Sequence, residues 1–349
     1  MKVKRYLIYF FSVLFLILLI KKSDICINVV KDTLYLCYKT VIPSLFPFFI
    51  LSSFMINTGF VNCAGKIAEP FAKTLFCASG NGAVVFIMGI LCGYPTGAKM
   101  VSELYKTRQI EKNEALRLLP FCNNSGPLFI IGAVGVGMLG SVRLGTFLYI
   151  IHIASALLTG VILSFFGGKT KKTQRTQILN VNFGKALSDS VICGVSTMAN
   201  VCGYIIFFSV IKVFLMPIIY KLSGDGDASL YLSGLLEVTL GAFNICSASL
   251  DLEKTLILTS GILGFGGLCV FLQVWGIVSE AKLSVKTYIL GKFVQMAISF
   301  LLSYFYLKLV NIQPVFLNTS QIAKKYVEIL PFIALSFLFL MAYAGARRR

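Results

Sequence analysis

Two short segments of this chain contain residue types that suit the binding of a small anion. In the first, Gly93 and Pro95 form a turn, and Lys99 follows four residues after the proline. A glycine–proline turn that opens a helix leaves free backbone N–H groups and the positive end of the helix dipole, where anions bind. The candidate substrate-binding residues of this segment are Gly93, Tyr94, Pro95, Thr96, Gly97 and Lys99.

Lys99 has two interpretations in the sequence. In one, a carboxylate binds between the ammonium of Lys99 and a helix N-terminus that Thr96 caps. In the other, Lys99 is the first residue of a polar connector, because residues 99–119 carry closely spaced charges of both signs. A segment of this kind is expected to form a helix at the membrane surface.

The second segment places three hydrogen-bonding side chains, Asn123, Asn124 and Ser125, directly before Gly126 and Pro127. Asparagine and serine are preferred where a helix begins, so these side chains are expected to cap a re-entrant turn. They are also suited to contact the polar atoms of a substrate. The two roles are compatible, and we take all three residues as candidates for substrate binding.

A third candidate group lies in the second half of the chain, where Glu237 falls in an otherwise apolar stretch with Thr239 and Asn244. Carboxylates inside a membrane are costly and usually functional. The group therefore predicts a site for a coupling cation or proton. The alternative is that Glu237 pairs with an internal lysine, either Lys212 or Lys292.

The composition indicates which elements must hold these residues. Of 349 residues, 57% are hydrophobic and 13% are charged, whereas soluble domains carry about 25% charged residues. The net charge of +18 follows the positive-inside rule, since lysine and arginine clusters flank the apolar spans. We therefore expect a multi-pass integral membrane protein whose partner is the lipid bilayer. Nucleic acid is not an expected partner, because the chain offers no soluble basic module with stacking aromatics.

Several other chemistries are excluded by residue type and spacing. The ten cysteines form no C-x-x-C pair and His152 is the single histidine, so we expect no metal site and no cofactor. His152 itself is expected to be packed and hydrogen-bonded. The G-x-G-x-x-G run at residues 135–140 lacks the acidic residue of a dinucleotide site and is typical of close helix packing. No nucleophile–base pair is evident, and we expect no enzyme.

The two segments also predict the fold. Irregular backbone persists in hydrocarbon only where protein or a watery cavity satisfies it, and paired interruptions of this kind mark the binding sites of transporters. The break at residues 93–97 corresponds to residues 237–241, and residues 124–129 correspond to residues 265–270. The sequence therefore predicts an all-α polytopic membrane protein with two structural repeats that contain re-entrant or broken helices. About nine or ten membrane segments are expected at about 20 residues each.

Three stretches of the chain resemble a known family. These are Pro43-Ser44-Leu45-Phe46-Pro47-Phe48, the segment from Gly93 to Lys99, and the segment from Phe121 to Gly132. They are similar to the sporulation integral membrane proteins of the YlbJ type. The resemblance implies two gate-like "nucleoside recognition" repeats, similar to the hairpin regions of concentrative nucleoside transporters. It also implies movement of dipicolinic acid, a small planar dianion, across the outer forespore membrane.

With this resemblance the chain divides into five parts. The predicted parts are an N-terminal membrane anchor (1–24), a first gate-like repeat (25–166), a basic linker (167–182), a second gate-like repeat (183–310), and a C-terminal membrane helix with a basic tail (311–349).

The expected function is alternating-access transport of a small anionic aromatic solute, with dipicolinic acid as the substrate that the resemblance implies. Two alternatives stay open: a nucleoside or nucleobase transporter of the concentrative type, and a non-transporting sporulation membrane scaffold. A homo-oligomer is compatible with all three.

Overall fold

A computed structural model describes residues 2–165, 182–223 and 227–309, and this part of the chain is helical throughout, without a strand. The prediction of an all-α protein is confirmed. Residues 167–181 of the predicted linker and the predicted C-terminal part, 311–349, lie outside the described residues. The described ranges hold fourteen α-helices and two π-helical segments.

The first half contains the anchor and the first repeat. Its elements are α1 (Lys2–Lys21), α2 (Ser23–Leu36), π1 (Cys37–Val41), α3 (Ile42–Asn57), α4 (Phe60–Phe76), α5 (Gly80–Cys92), α6 (Thr96–Lys106), α7 (Lys112–Cys122), π2 (Leu128–Met138) and α8 (Val142–Phe165). The second half contains α9 (Phe183–Ser223), α10 (Asp227–Leu236), α11 (Val238–Ser247), α12 (Leu252–Phe265), α13 (Gly267–Glu280) and α14 (Lys286–Leu309).

The described residues contain both long apolar spans and shorter apolar helices. In the described residues four helices are long and apolar enough to cross a membrane: Val142–Phe165, Phe183–Lys221, Leu252–Glu280 and Lys286–Leu309. A fifth span results if α3 and α4, which are bent by 83° at their junction, count as one. Four further apolar helices are shorter: Tyr9–Lys21, Gly80–Cys92, Leu128–Met138 and Val238–Ser247. A bilayer needs about 20 apolar residues, so the last three are too short to cross it alone, whereas Tyr9–Lys21 is part of the 20-residue helix α1.

The two repeats are visible in how the helices pack. In the first repeat the break after α5 lies against the break after α7, and in the second the break after α10 lies against the break after α12. Contacts between the halves are reciprocal: α6 packs on α13 and π2 packs on α11, while α7 packs on α14 and α12 packs on α8. Reciprocal contacts of this kind are the signature of a two-fold relation. The boundaries of the five predicted parts stay predictions.

Helices α8 and α14 meet near the pseudo-two-fold axis that relates the two repeats. The Ser299 hydroxyl donates to the Ser155 hydroxyl at 2.9 Å, and both side chains are fully buried. The two serines are 144 positions apart, which is the separation of the corresponding breaks at Gly93 and Glu237. A residue that contacts its own counterpart lies close to a two-fold axis. The same offset in the sequence and in the packing supports the duplication.

The structure corrects two expectations about individual segments. The sequence of residues 188–203 predicts a broken segment, but these residues lie inside the continuous helix α9. This helix has 41 residues and at about 1.5 Å per residue is about 60 Å long, twice the thickness of the hydrocarbon core. It packs along α2 and α3, where Phe49 is fully buried against Met198 and Val201.

The predicted surface connector at residues 99–119 is also wrong. The segment folds into the hairpin of α6 and α7, whose apolar residues enter the main core; these are Met100, Val101, Leu104, Ala115, Leu118 and Leu119. Two of its charged side chains, Lys99 and Glu114, are buried and make hydrogen bonds to other parts of the fold. The Glu114 carboxylate is 1% exposed and accepts the backbone N–H of Ser79 at 2.6 Å. Burial raises the pKa of Glu114 above its ordinary value.

We expect Gly93→Ala to destabilise the protein. Gly93 has φ +80°, and a Cβ atom there would lie 3.0 Å from the backbone nitrogen of Gly126. The left-handed backbone alone costs an L-residue about 1–2 kcal/mol, and the backbone contact adds to that cost. Thermal denaturation of the detergent-solubilised protein should show a melting temperature lowered by several degrees.

Gly203→Ala is the matched control, because Gly203 lies in α9 with nothing within 4 Å of its Cβ position. Alanine at a helical glycine is neutral or slightly stabilising. Equal melting temperatures for the two variants would contradict a tight contact between the breaks.

Candidate substrate site

The breaks of both repeats converge at the centre of the molecule, and Tyr94 joins them. Its backbone belongs to the first break, beside Gly93, which lies against Gly126. Its ring extends to the second repeat, where the hydroxyl donates to the carbonyl of Leu263 at 3.5 Å. A Cβ atom at Gly266 would lie 2.8 Å from this hydroxyl. Glycine at residue 266 therefore leaves room for the contact between the two repeats.

The ammonium of Lys292, on α14, lies where the breaks meet. The residue is fully buried, and its Nζ donates to Gln295 Oε1 at 2.7 Å and to Asn124 Oδ1 at 3.5 Å. Gln295 in turn donates to the same oxygen of Asn124 at 3.1 Å. The ring centroids of Tyr94 and Tyr288 lie 5.4 and 5.8 Å from Nζ, at cation–π distance. Among the described residues no carboxylate lies within ion-pair distance of this cation.

The polar side chains of residues 123–125 both cap the break and line this cluster. Asn123 accepts the N–H of Ala98 at 3.3 Å, which caps α6, and donates to the Tyr288 hydroxyl at 3.2 Å. Asn124 donates to the carbonyl of Phe121 at 2.6 Å, which leaves its oxygen for Lys292. The capping role is therefore seen for Asn123, while contact with a substrate stays a prediction for all three residues.

His152 fixes the backbone of the second break. Its Nε2 accepts the N–H of Ser125 at 3.1 Å, and the residue is 1% exposed. The expectation of a packed, hydrogen-bonded histidine is confirmed. Its Nδ1 has no hydrogen-bond partner among the described residues. Because Nε2 is the acceptor, Nδ1 carries the proton of a neutral ring.

The structure does not bring Lys99 to the same place. Its ammonium donates to the Thr197 hydroxyl at 2.5 Å and to the carbonyl of Cys193 at 3.2 Å, both on α9. The expected cap by Thr96 is wrong as well, since Thr96 is inside the first turn of α6 with its hydroxyl buried and without a partner among the described residues. Asn123 caps α6 instead, and the hydrogen bonds of Lys99 link α6 to α9.

Pro95 and Gly97 shape the beginning of α6. Pro95 is the residue before the first helical turn. A Cβ atom at Gly97 would overlap the carbonyl oxygen of Cys122, so glycine allows α6 to lie directly on the end of α7. This close approach is what brings Asn123 within reach of the N–H groups of α6.

The candidates in the second repeat act mainly on the backbone. The Glu237 carboxylate accepts the N–H groups of Thr239 and Leu240, each at 2.8 Å, and so caps α11. Asn244 donates to the Ser233 hydroxyl at 3.3 Å. Of the two lysines that could pair with Glu237, Lys292 is held by amides instead, and Lys212 is the one whose charge acts on it. Glu237 thus lies at the break of the second repeat that corresponds to the first break, and its own side chain caps the helix that follows, α11.

Two comparisons with known proteins bear on this arrangement. The Gate family model, described as "nucleoside recognition", matches residues 38–169. The sporulation integral membrane protein YlbJ of Bacillus subtilis (strain 168) is 34% identical over 76% of this chain and 73% of its own length. The chain belongs to the YlbJ family of sporulation integral membrane proteins. No solved structure matches it.

The match to the Gate model covers both breaks of the first repeat and ends before α14. The comparison assigns no role to individual residues, so the site residues at 93–99 and 123–125 stay predictions. The sequence indicates Lys292 only as a possible partner for Glu237.

A signal for the missed residues does exist in α14. Its four fully buried polar residues are spaced by three or four positions, and these are Lys292, Gln295, Ser299 and Ser303. That spacing places them on one face of a helix. A polar stripe in an apolar span marks the side of the helix that faces protein and not lipid.

We expect Lys99 to stabilise the packing of α6 on α9, and Lys99→Met to lower the melting temperature through loss of the bond to Thr197. A hydrogen bond to a charged group contributes about 1.5–3 kcal/mol. In a double-mutant cycle with Thr197→Val, the two losses should therefore not add. The measurement is thermal denaturation of the four proteins in one detergent.

Lys66→Met is the control, because Lys66 is an exposed lysine on α4. It should melt with the parent. Additive losses for Lys99→Met and Thr197→Val would show that the two side chains do not act together.

Proposed function

We propose that this protein is a membrane transporter that moves a small anionic aromatic solute, dipicolinate, across the outer forespore membrane during sporulation. The single observation that carries the proposal is the buried ammonium of Lys292 at the meeting point of the helix breaks, with amides and aromatic rings around it. A buried cation without a carboxylate partner is costly. An anionic ligand that supplies the carboxylate offsets that cost.

The residues around Lys292 match the chemistry of a planar dicarboxylate. One substrate carboxylate takes the place of the oxygens of Gln295 and Asn124 on the ammonium, in a charge-assisted hydrogen bond that is stronger than either amide contact. The rings of Tyr94 and Tyr288 lie near the cation and offer faces or edges to an aromatic ring. Asn123, Asn124 and Ser125 supply further polar contacts.

The duplicated architecture supports alternating access. Paired discontinuous helices from two repeats, with a binding site between them, are typical of secondary transporters that rock one part against the other. In the described conformation the breaks are in direct contact, and Tyr94 bridges the two repeats. A solute reaches Lys292 when these contacts open on one side, and leaves when they open on the other.

The description of the Gate family favours a second candidate, a nucleoside or nucleobase transporter. The amides of Asn123 and Asn124 and the rings of Tyr94 and Tyr288 would suit a base. A neutral nucleoside, however, gives Lys292 no counter-charge. The charge at the centre of the cluster is the reason for preferring an anion.

Purified protein in liposomes is expected to take up dipicolinate, measured by the luminescence of terbium trapped inside. Lys292→Met should lower the uptake rate about 30- to 5,000-fold, since removing one partner of a buried charge pair costs about 2–5 kcal/mol. Lys308→Met is the matched control on the same helix, because Lys308 is exposed and pairs with Glu253 at 3.2 Å. It should transport like the parent.

Three outcomes would count against the proposal. Full uptake by Lys292→Met, at an unchanged melting temperature, would show that the cation does not bind the solute. Uptake of uridine without uptake of dipicolinate would establish the second candidate. A parent protein that moves neither solute would favour the scaffold that the sequence also allows.

A further inference from the structure

In the described part of the chain, the surroundings of Lys292 contain titratable groups but no carboxylate that could balance its charge. The titratable side chains that face it are Tyr94 from the first break, Cys122 from the end of α7, His152 from α8 and Tyr288 from α14 itself. On α12, which also packs on α14, the acid is Glu253, and it pairs with Lys308 some four turns away along α14. The described site therefore holds one ionisable cation in a neutral environment.

A neutral amine and a charged ammonium fit this site differently. The hydrogen bonds to Gln295 and Asn124 need only N–H donors, which the neutral amine also has. An ammonium in the same place keeps an uncompensated charge away from water, at a cost of several kcal/mol that two ring faces offset only in part. Without substrate the amine is favoured, and with a carboxylate on Nζ the ammonium is favoured.

We propose that Lys292 carries the coupling proton of transport, so that one proton moves with each dicarboxylate. This proposal rests on the proposed function and names its driving ion. On loading, a proton from water forms the third N–H bond of the ammonium as the carboxylate binds. On release at the other face, that N–H bond breaks, the proton returns to water and the amine regains its two amide partners. A dianion and one proton cross together, so each cycle moves one net negative charge.

The test uses the full-length protein in liposomes with equal potassium on both sides and a potassium ionophore, so that the membrane potential is held at zero. Dipicolinate added outside is expected to acidify the lumen, read by a trapped pH dye, with one proton per dipicolinate. An outside-acidic gradient of about one pH unit should raise steady-state accumulation about tenfold, because each coupled proton contributes about 1.4 kcal/mol. Protein-free liposomes correct for diffusion of the neutral acid.

Lys292→Arg separates proton coupling from substrate binding. Arginine keeps its charge in proteins, so it can hold a carboxylate but cannot release the proton. We expect this variant to exchange internal for external dipicolinate while its net uptake and its response to the pH gradient are lost. In Lys292→Gln, which has no charge, exchange should be lost too. Lys308→Gln should keep both activities.

The outcomes separate this proposal from the proposed function. Dipicolinate uptake by the parent that ignores the pH gradient, or that follows a sodium gradient instead, overturns proton coupling and leaves dipicolinate transport standing. Gradient-driven net uptake by Lys292→Gln, or by Lys292→Arg at the parent's rate, shows that the proton is carried elsewhere. Absence of dipicolinate uptake by the parent overturns both proposals.

Discussion

The structure depends on one constraint: the backbone groups that are freed where a membrane helix breaks must find partners inside the protein. Each unsatisfied N–H or C=O in hydrocarbon costs several kcal/mol. The molecule meets this constraint by placing breaks against one another and by capping them with side chains. Asn123 caps α6, His152 accepts the N–H of Ser125, and Glu237 caps α11. The polar groups that result are concentrated at one buried point.

This concentration of polar groups is what makes a buried lysine tolerable. Asn124 is available to Lys292 because its amide nitrogen is already held by the carbonyl of Phe121, so its oxygen faces inward. Gln295 completes the cluster from one helical turn away on α14. The groups that stabilise the breaks are therefore the same groups that hold the cation, and stability and substrate binding are coupled at this site.

The sequence predicts those features whose signal is local in the chain. It does not predict features that depend on a contact with another helix. The breaks at Gly93 and Gly126, the helical class and the offset of 144 between repeats follow from residue type and hydropathy. Lys99 and Lys292 were both visible as lysines in or beside apolar segments, but only the packing shows which of them reaches Asn124. Lys99 is close to the break in the chain and yet extends to Thr197 on α9. Lys292 is distant in sequence and lies at the centre.

The prediction for residues 99–119, which form the hairpin of α6 and α7, is wrong for a related reason. Charge density in residues 99–119 indicates a surface helix when each charge is assumed to need water. Glu114 and Lys99 instead find an N–H group and a hydroxyl across the fold. Such partners come from other helices, so no window of sequence contains them.

The two repeats share the arrangement of their breaks but not their chemistry, and this asymmetry determines what the site can do. Aligned from their first residues, α8 and α14 pair Ser155 with Ser299, the two serines whose hydroxyls are in contact. The same alignment places Leu148 opposite Lys292. A symmetric molecule would bury two cations, which would repel each other across the axis at a cost that grows in low dielectric. With the cation in one repeat only, the duplication supplies the moving scaffold and the single lysine supplies the charge.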